Sequence, residues 1–166
     1  MDWPVTLVSW IDAQIFCAEY GFRLPTSAEW QRAYAASDGD AYWWGDSPEG
    51  GEEKGSVCDL GALGLFRSAP RFLFRDGHRF VASVGSFEPN SLGLFDMAGN
   101  VWEWCLDETG PGLDDGFMDE GAYRVIRGGS WASQPEHCGV SSLAASHAEQ
   151  GSRVVGFRVV RDPSQP

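Results

Sequence analysis

The sequence predicts a loop-rich α+β fold, with two helices near its start and short strands after them. Three observations lead there. Apolar residues recur at helical spacing before about residue 35, each time behind a residue suited to cap a helix. From Val84 onward the pattern changes to short apolar runs broken by glycine. The 21 Gly and eight Trp then supply turns and large anchors, a pairing that suits loops held by aromatic rings and not a helix bundle. With 166 residues and 43% apolar content, the chain 1–166 reads as one domain large enough for a core.

Taken in order, Pro4–Val8 reads as a short strand. Ser9 can cap a helix running to about Tyr20, with Gly21 placed as its C-cap. Trp10, Ala13, Ile15, Phe16 and Tyr20 favour one face of that helix, and Cys17 lies beside it as a core residue. A second helix starts at Thr26, where Thr26 and Glu29 form the two ends of a capping box. Trp30, Ala33 and Tyr34 are its inner side, and the run Ser37–Asp40 ends it. Tyr42, Trp43 and Trp44 form an aromatic anchor. Residues 47–64 are rich in glycine and acids and read as an exposed excursion. Residues 65–84 hold a candidate hairpin turn at Asp76-Gly77, and the whole stretch of about 47–83 reads as an insertion. The acidic run 107–120 is read as a solvated loop, and the C-terminal tail as frayed.

The charge is −12, so the chain repels phosphate backbones and anionic bilayers; neither nucleic-acid binding nor membrane insertion is expected. No apolar run approaches the length of a spanning helix. The first ten residues carry an acid where a secretory leader needs a base, which argues against an uncleaved leader. Cys17, Cys58, Cys105 and Cys138 are spaced too widely for a zinc or disulfide-rich pattern and are expected as free buried thiols.

Six blocks carry more specific information. Residues 93–105 read GLFDMAGNVWEWC, residues 124–131 RVIRGGSW and residues 156–160 GFRVV. In the front half PVTLVSWIDAQIFC, FRLPTSAEW and YWWGD follow in order. On a strand, Trp102 and Trp104 point to one face and Glu103 to the other. Asn100 tolerates left-handed backbone, Gly128-Gly129 admits a close ring, and Arg127 and Arg158 are suited to lock onto Glu103 or Asp96. Together the blocks resemble the formylglycine-generating-enzyme (sulfatase-modifying factor) family. The resemblance implies a C-type-lectin-like fold: two helices, a small twisted antiparallel sheet and extensive loops. The strands that usually precede the first block in that family have no counterpart here.

The family's oxidase chemistry, as the resemblance implies it, uses two cysteines five positions apart that bind copper. Their places fall on Ser133 and Cys138, and a hydroxyl does not replace a thiolate on Cu(I). No catalytic residue is therefore assigned. An iron-dependent branch uses histidines from an additional helical domain; this chain has three His and no such domain. The family also places calcium near the GNVWEW block, which makes Asn100, Glu103 and Asp107 candidate ligands for a hard cation; no other cofactor is expected.

The last two blocks are separated by residues 132–155, which hold no aromatic residue, Asn or Lys. Eleven of these 24 residues are Ala, Ser or Gly, so the stretch lacks the signature of a core. The resemblance is strongest to the variable proteins of diversity-generating retroelements, which display a C-terminal stretch rewritten at template adenines. An Asn codon changed at its adenines reaches Ala, Ser, His, Gly and Leu but not Lys, Trp or Met. Ala132, Ser133, His137, Gly139, Ser142, Leu143, Ala145, Ser146, His147 and Ala148 belong to the reachable set and are the candidate ligand-binding residues. Gln134, Glu136, Glu149 and Gln150 do not belong to it. The resemblance implies a non-catalytic protein that binds a protein or glycan on a target cell surface, displayed in many copies on a virus or phage particle or on a cell surface. The competing expectation is an oxidase, degenerate or active, that acts on a cysteine of a target protein.

Overall fold

The computed structural model describes residues 2–34, 40–61, 71–109 and 122–162. Two helices, α1 (Trp10–Tyr20) and α2 (Ser27–Tyr34), precede a four-stranded sheet of β1 (Trp102–Glu108), β2 (Tyr123–Arg127), β3 (Ala144–His147) and β4 (Val155–Gly156). The strand order is β3-β2-β1-β4. This is the two-helix, small-sheet α+β architecture expected of a C-type-lectin-like fold. One feature departs from the expected antiparallel sheet: β4 runs parallel to β1, pairing Trp102 with Val155 and Glu103 with Gly156. The chain leaves β3 at one edge and crosses to the opposite edge, and a crossover of that kind delivers a parallel strand.

Both helices begin as their sequences dictate. Ser9 Oγ accepts from Asp12 N–H, Asp12 returns a bond to Ser9, and Gly21 closes α1 in left-handed geometry. At α2, Thr26 Oγ1 accepts from Glu29 N–H at 3.2 Å and Glu29 Oε2 accepts from Thr26 N–H at 2.9 Å. Glu29 also accepts two bonds from Arg23, at 2.6 and 2.7 Å. The Arg23 bonds, followed by the Thr26 N–H, hold the Glu29 carboxyl down from 4.5 to about 2. A depressed folded pKa adds stability that is complete above 4.5 and is lost as pH falls toward 2. Glu29→Gln therefore narrows its stability deficit against the parent below pH 4.5, which urea melts at pH 7 and pH 3 check.

The sheet separates two cores. On one face Trp102, Trp104, Ile126 and Val155 pack against Ala13, Cys17 and Leu24. On the other, Cys105 and Val125 pack against Trp30, Tyr34, Met97 and Ala98. The alternation of Trp102 and Trp104 around Glu103 is as the strand pattern predicts. Trp10 and Trp104 fix their indole N–H groups on the carbonyls of Cys105 and Val8. A third cluster joins Tyr42, Val57, Phe72, Phe74 and Cys138, with Trp44 stacked on Tyr42 at 4.8 Å.

Several local expectations are corrected. Residues 4–8 form no strand: Leu7 takes φ 60°, and the segment presses on glycine backbone at Gly151 and Gly156 in place of pairing in a ladder. In α1 the inner line is Ala13 and Cys17, small enough for close approach to the sheet, which leaves Ile15 and Tyr20 each 64% exposed. Phe16, 42% exposed, meets the Tyr20 ring at a tilt and the Phe157 ring edge-on. Residues 47–61 are not an exposed excursion throughout, because Ser56, Val57, Cys58 and Asp59 are buried. Asp76-Gly77 turns without flanking strands; the buried Asp76 carboxylate accepts from the N–H groups of Val57 and His78. The acidic loop expected at 107–120 starts later, because Asp107 and Glu108 belong to β1; its residues 110–120, the expected end of α2 at 37–39 and the tail beyond 162 lie outside the described residues. Among the described residues no helix is long and apolar enough to cross a membrane.

Candidate binding surface

The segment 132–155 is held chiefly through its backbone. Arg127 Nη1 donates to the carbonyls of Ser142 at 2.7 Å and Val140 at 3.4 Å, and its Nε donates to Ser27 Oγ at 2.9 Å. The expected partner of Arg127 was a carboxylate; it is a row of carbonyls, because its strand register aims it at the returning loop. Tyr34 Oη donates to the Cys138 carbonyl at 2.5 Å and Tyr42 Oη to the Pro135 carbonyl at 3.0 Å. Val140 N–H reaches the Ala41 carbonyl, and β3 pairs with β2 from Ile126↔Ala144 to Tyr123↔His147. Between them Pro135–His137 form a short 3₁₀ turn.

Sequence reasoning missed Arg127, Tyr34 and Tyr42 as supports of the segment. Residue type gave one signal: a planar five-donor guanidinium serves several acceptors at once, carbonyls included.

The candidate ligand-binding residues divide into two groups. His137 and Leu143 are exposed, and Ala132, Ser142, Ala145, Ser146 and His147 are half-buried. Ser133 and Ala148 are buried. Ser133 Oγ accepts from Ser130 N–H at 2.9 Å and shares a hydrogen bond with Ser130 Oγ. Ala148 exchanges backbone bonds with Ala122 and Trp10. Gly139 is constrained as well, since a Cβ there would meet the Ala41 carbonyl at 3.0 Å. Those three residues belong to the framework; the other seven can present side chains to a partner.

Cys138 is fully buried. Its sulfur packs against Gly129, where an added Cβ would lie 2.6 Å away, and at Gly128 an added Cβ would lie 3.0 Å from the Trp30 ring. Burial pushes the Cys138 thiol well above its ordinary value, so it stays protonated at neutral pH. Cys17, Cys58 and Cys105 are also free and buried, as expected. The hydroxyl at Ser133, tied to Ser130, and one sealed thiol do not make the soft two-sulfur site that Cu(I) requires.

Donors already serve Asn100 Oδ1, both Glu103 oxygens and Asp107 Oδ2. Asn100, at φ 60° as its position suggested, accepts from Ala82 N–H at 3.0 Å. Glu103 accepts from Trp30 Nε1 at 2.6 Å and from Arg158 at 2.5 and 2.6 Å, which is the expected Arg158 lock. Asp107 accepts from Ser27 N–H at 2.5 Å. Asn100, Glu103 and Asp107 therefore do not fit a shared cation. Nearby, Asp96 Oδ1 is buried without a hydrogen-bond donor, and burial raises the Asp96 carboxyl above its ordinary value.

Comparison with known proteins shows the family and the fold. The pattern of the Sulfatase-modifying factor enzyme 1-like domain family matches residues 1–163. A formylglycine-generating enzyme of Streptomyces coelicolor is 37% identical, over 96% of this chain and 52% of its own length. The inactive C-alpha-formylglycine-generating enzyme 2 of Bos taurus is 31% identical, over 100% of this chain and 52% of its own length. The chain thus spans about half the length of these curated relatives. Among solved structures, Treponema denticola variable protein 1 superposes with a TM-score of 0.70 at 22% identity, over 95% of this chain and 70% of that one. PvdO from Pseudomonas aeruginosa superposes with a TM-score of 0.75 at 24% identity, over 95% and 61%.

Proposed function

We infer that this chain, which belongs to the Sulfatase-modifying factor enzyme 1-like family, is a non-catalytic binding domain that meets its partner through the exposed side chains of residues 132–155. One observation carries the reading: the framework grips this segment by its carbonyls and amides, so side chains at 132, 137, 142, 143 and 146 can change without loosening it. The fold supports it, being shared with Treponema denticola variable protein 1, as does kinship with a relative named as inactive. The partner is a protein or glycan on a target cell surface. The surface holds few of the aromatic and Arg residues that anchor tight complexes, so display in many copies supplies avidity.

A second reading, oxidation of a peptide cysteine to formylglycine, draws on the names of other relatives. It lacks one sulfur and would need the remaining thiol to open.

Two measurements separate these readings. His137→Ala, Leu143→Ser and Ser146→Asn each shift the melting temperature by about 2 °C or less, as surface changes within about 0.5 kcal/mol do. Their triple variant loses binding to the glycan or cell panel that the parent recognises. Losses of several degrees at these positions, or unchanged binding, count against the surface. With Cu(I) and a cysteine-containing peptide, the parent yields no aldehyde by mass spectrometry; turnover above a protein-free control would overturn the non-catalytic reading.

A further inference from the structure

We propose that the cleft between the start of α1 and the end of β3 binds a carboxylate carried on an apolar body, with the Arg124 guanidinium as its anchor. The cleft, of about 420 Å³, is lined by Trp10, Ile11, Arg124, His147, Ala148 and Glu149. It opens beside the proposed contact surface and shares His147 with it. The proposal rests on that surface only for the side from which a partner approaches.

Arg124 stands on β2 opposite Ser146. Its guanidinium lies 4.5 Å from the Trp10 ring, and Trp10 is itself fixed by the bond from its Nε1 to the Cys105 carbonyl. The cation therefore lies over a fixed apolar wall. Nη1 sits 3.0 Å from Glu108 Oε1, outside hydrogen-bond geometry, and Nε has no acceptor. A covered guanidinium edge with an unserved donor is unusual, since buried polar groups are normally paired.

Glu108 is a weak occupant. Its side chain is 68% exposed against 13% for Arg124, and an exposed ion pair of this kind contributes little. Displacing Glu108 frees Nη1, which then offers a charge-assisted donor to an incoming carboxylate. The rest of the wall, Trp10, Ile11 and Ala148, suits an apolar body. Glu149 lines the cleft and Glu108 faces Arg124 in a chain of net charge −12, which disfavours a multiply charged anion; a single carboxylate matches the one guanidinium.

The test is a ¹H–¹⁵N titration of the whole chain with hexanoate, read at the Arg124 Nε–H and Trp10 indole resonances, with hexylammonium as the control. The expected result is a saturable shift with hexanoate at about millimolar Kd, the range for so small a ligand, and none with hexylammonium. Arg124→Gln abolishes the hexanoate response. Glu108→Gln removes the internal competitor and tightens binding about three-fold or more, a gain that misfolding cannot imitate. Equal shifts with both probes, no saturation with hexanoate, or unchanged affinity in Glu108→Gln would each overturn the proposal. A cell-surface partner whose affinity is the same for Arg124→Gln also overturns it, while leaving the wider surface reading in place. Hexanoate binding in a chain whose 137, 143 and 146 variants alter no partner's affinity supports the cleft and sinks the surface.

Discussion

Glu103→Ala lowers the melting temperature by roughly 6–20 °C. Glu103 is buried on the face of β1 away from Trp102 and Trp104, and one carboxylate serves three donors: Trp30 Nε1, Arg158 Nε and Arg158 Nη2. It thereby ties α2, the sheet and the C-terminal GFRVV block to one point. Removing one partner of a buried pair costs about 3–5 kcal/mol; Arg158, 24% exposed, keeps only the Phe95 carbonyl at 3.1 Å, which places the cost toward the lower end. At roughly 2–4 °C per kcal/mol for a chain of this size, the loss falls in the stated range. Burial opposes the Arg158 charge, and the Glu103 carboxylate outweighs that opposition, raising the Arg158 pKa. Glu103→Gln keeps an acceptor for Trp30 but turns an amide toward the cation, so its loss is intermediate. Thermal melts followed by circular dichroism decide it; a shift under about 2 °C for the alanine variant would show that the pair is not a structural lock.

Gly129→Ala destabilises by about 2–5 kcal/mol, from left-handed strain of about 1–2 and overpacking of about 1–3. Gly129 holds φ +77°, and an added Cβ would stand 2.6 Å from Cys138 Sγ and 2.9 Å from the His137 carbonyl oxygen. Gly21→Ala is the control: φ is +68°, yet nothing lies within 4 Å of the new Cβ, so it bears the strain term by itself. The difference between the two in chemical denaturation isolates the contact with Cys138. A second readout follows. Cys138 in the parent resists a thiol reagent under native conditions, and Gly129→Ala, by forcing the turn apart, makes it react. Equal stability for the two glycine variants would show that the Cys138 packing yields easily.

Much of this was legible from residue order. The caps of α1 and α2 rest on hydroxyl and carboxylate side chains three residues apart, an interaction within one turn of helix. The facing of Trp102 and Trp104, the left-handed Asn100 and the Arg158–Glu103 lock were also readable, since local geometry or charge admits few alternatives for each. The errors fall where distant chain decides. Ile15 and Phe16 satisfy helical spacing, but the sheet admits Ala13 and Cys17 instead, because their small side chains allow the helix to approach closely. Val57 and Cys58 sit in a stretch whose composition suggests solvent, yet Tyr42, Phe72 and Phe74 arrive from elsewhere to cover them.

By itself, then, the sequence determined the family, the two-helix front, the aromatic anchors and a hydroxyl in place of a thiol at Ser133. Those follow from residue identity and from contacts spanning a few positions. Tertiary structure decided which candidates in 132–155 face outward. Ser133, Gly139 and Ala148 read like their neighbours, but Ser130, Ala41 and Ala122 close over them. It also decided that Arg127 grips carbonyls and that Arg124 lies over Trp10 beside a cleft. A small residue has the same chemistry inside or outside a fold, and a guanidinium takes any well-placed acceptor. Only the packing of distant segments selects between those outcomes.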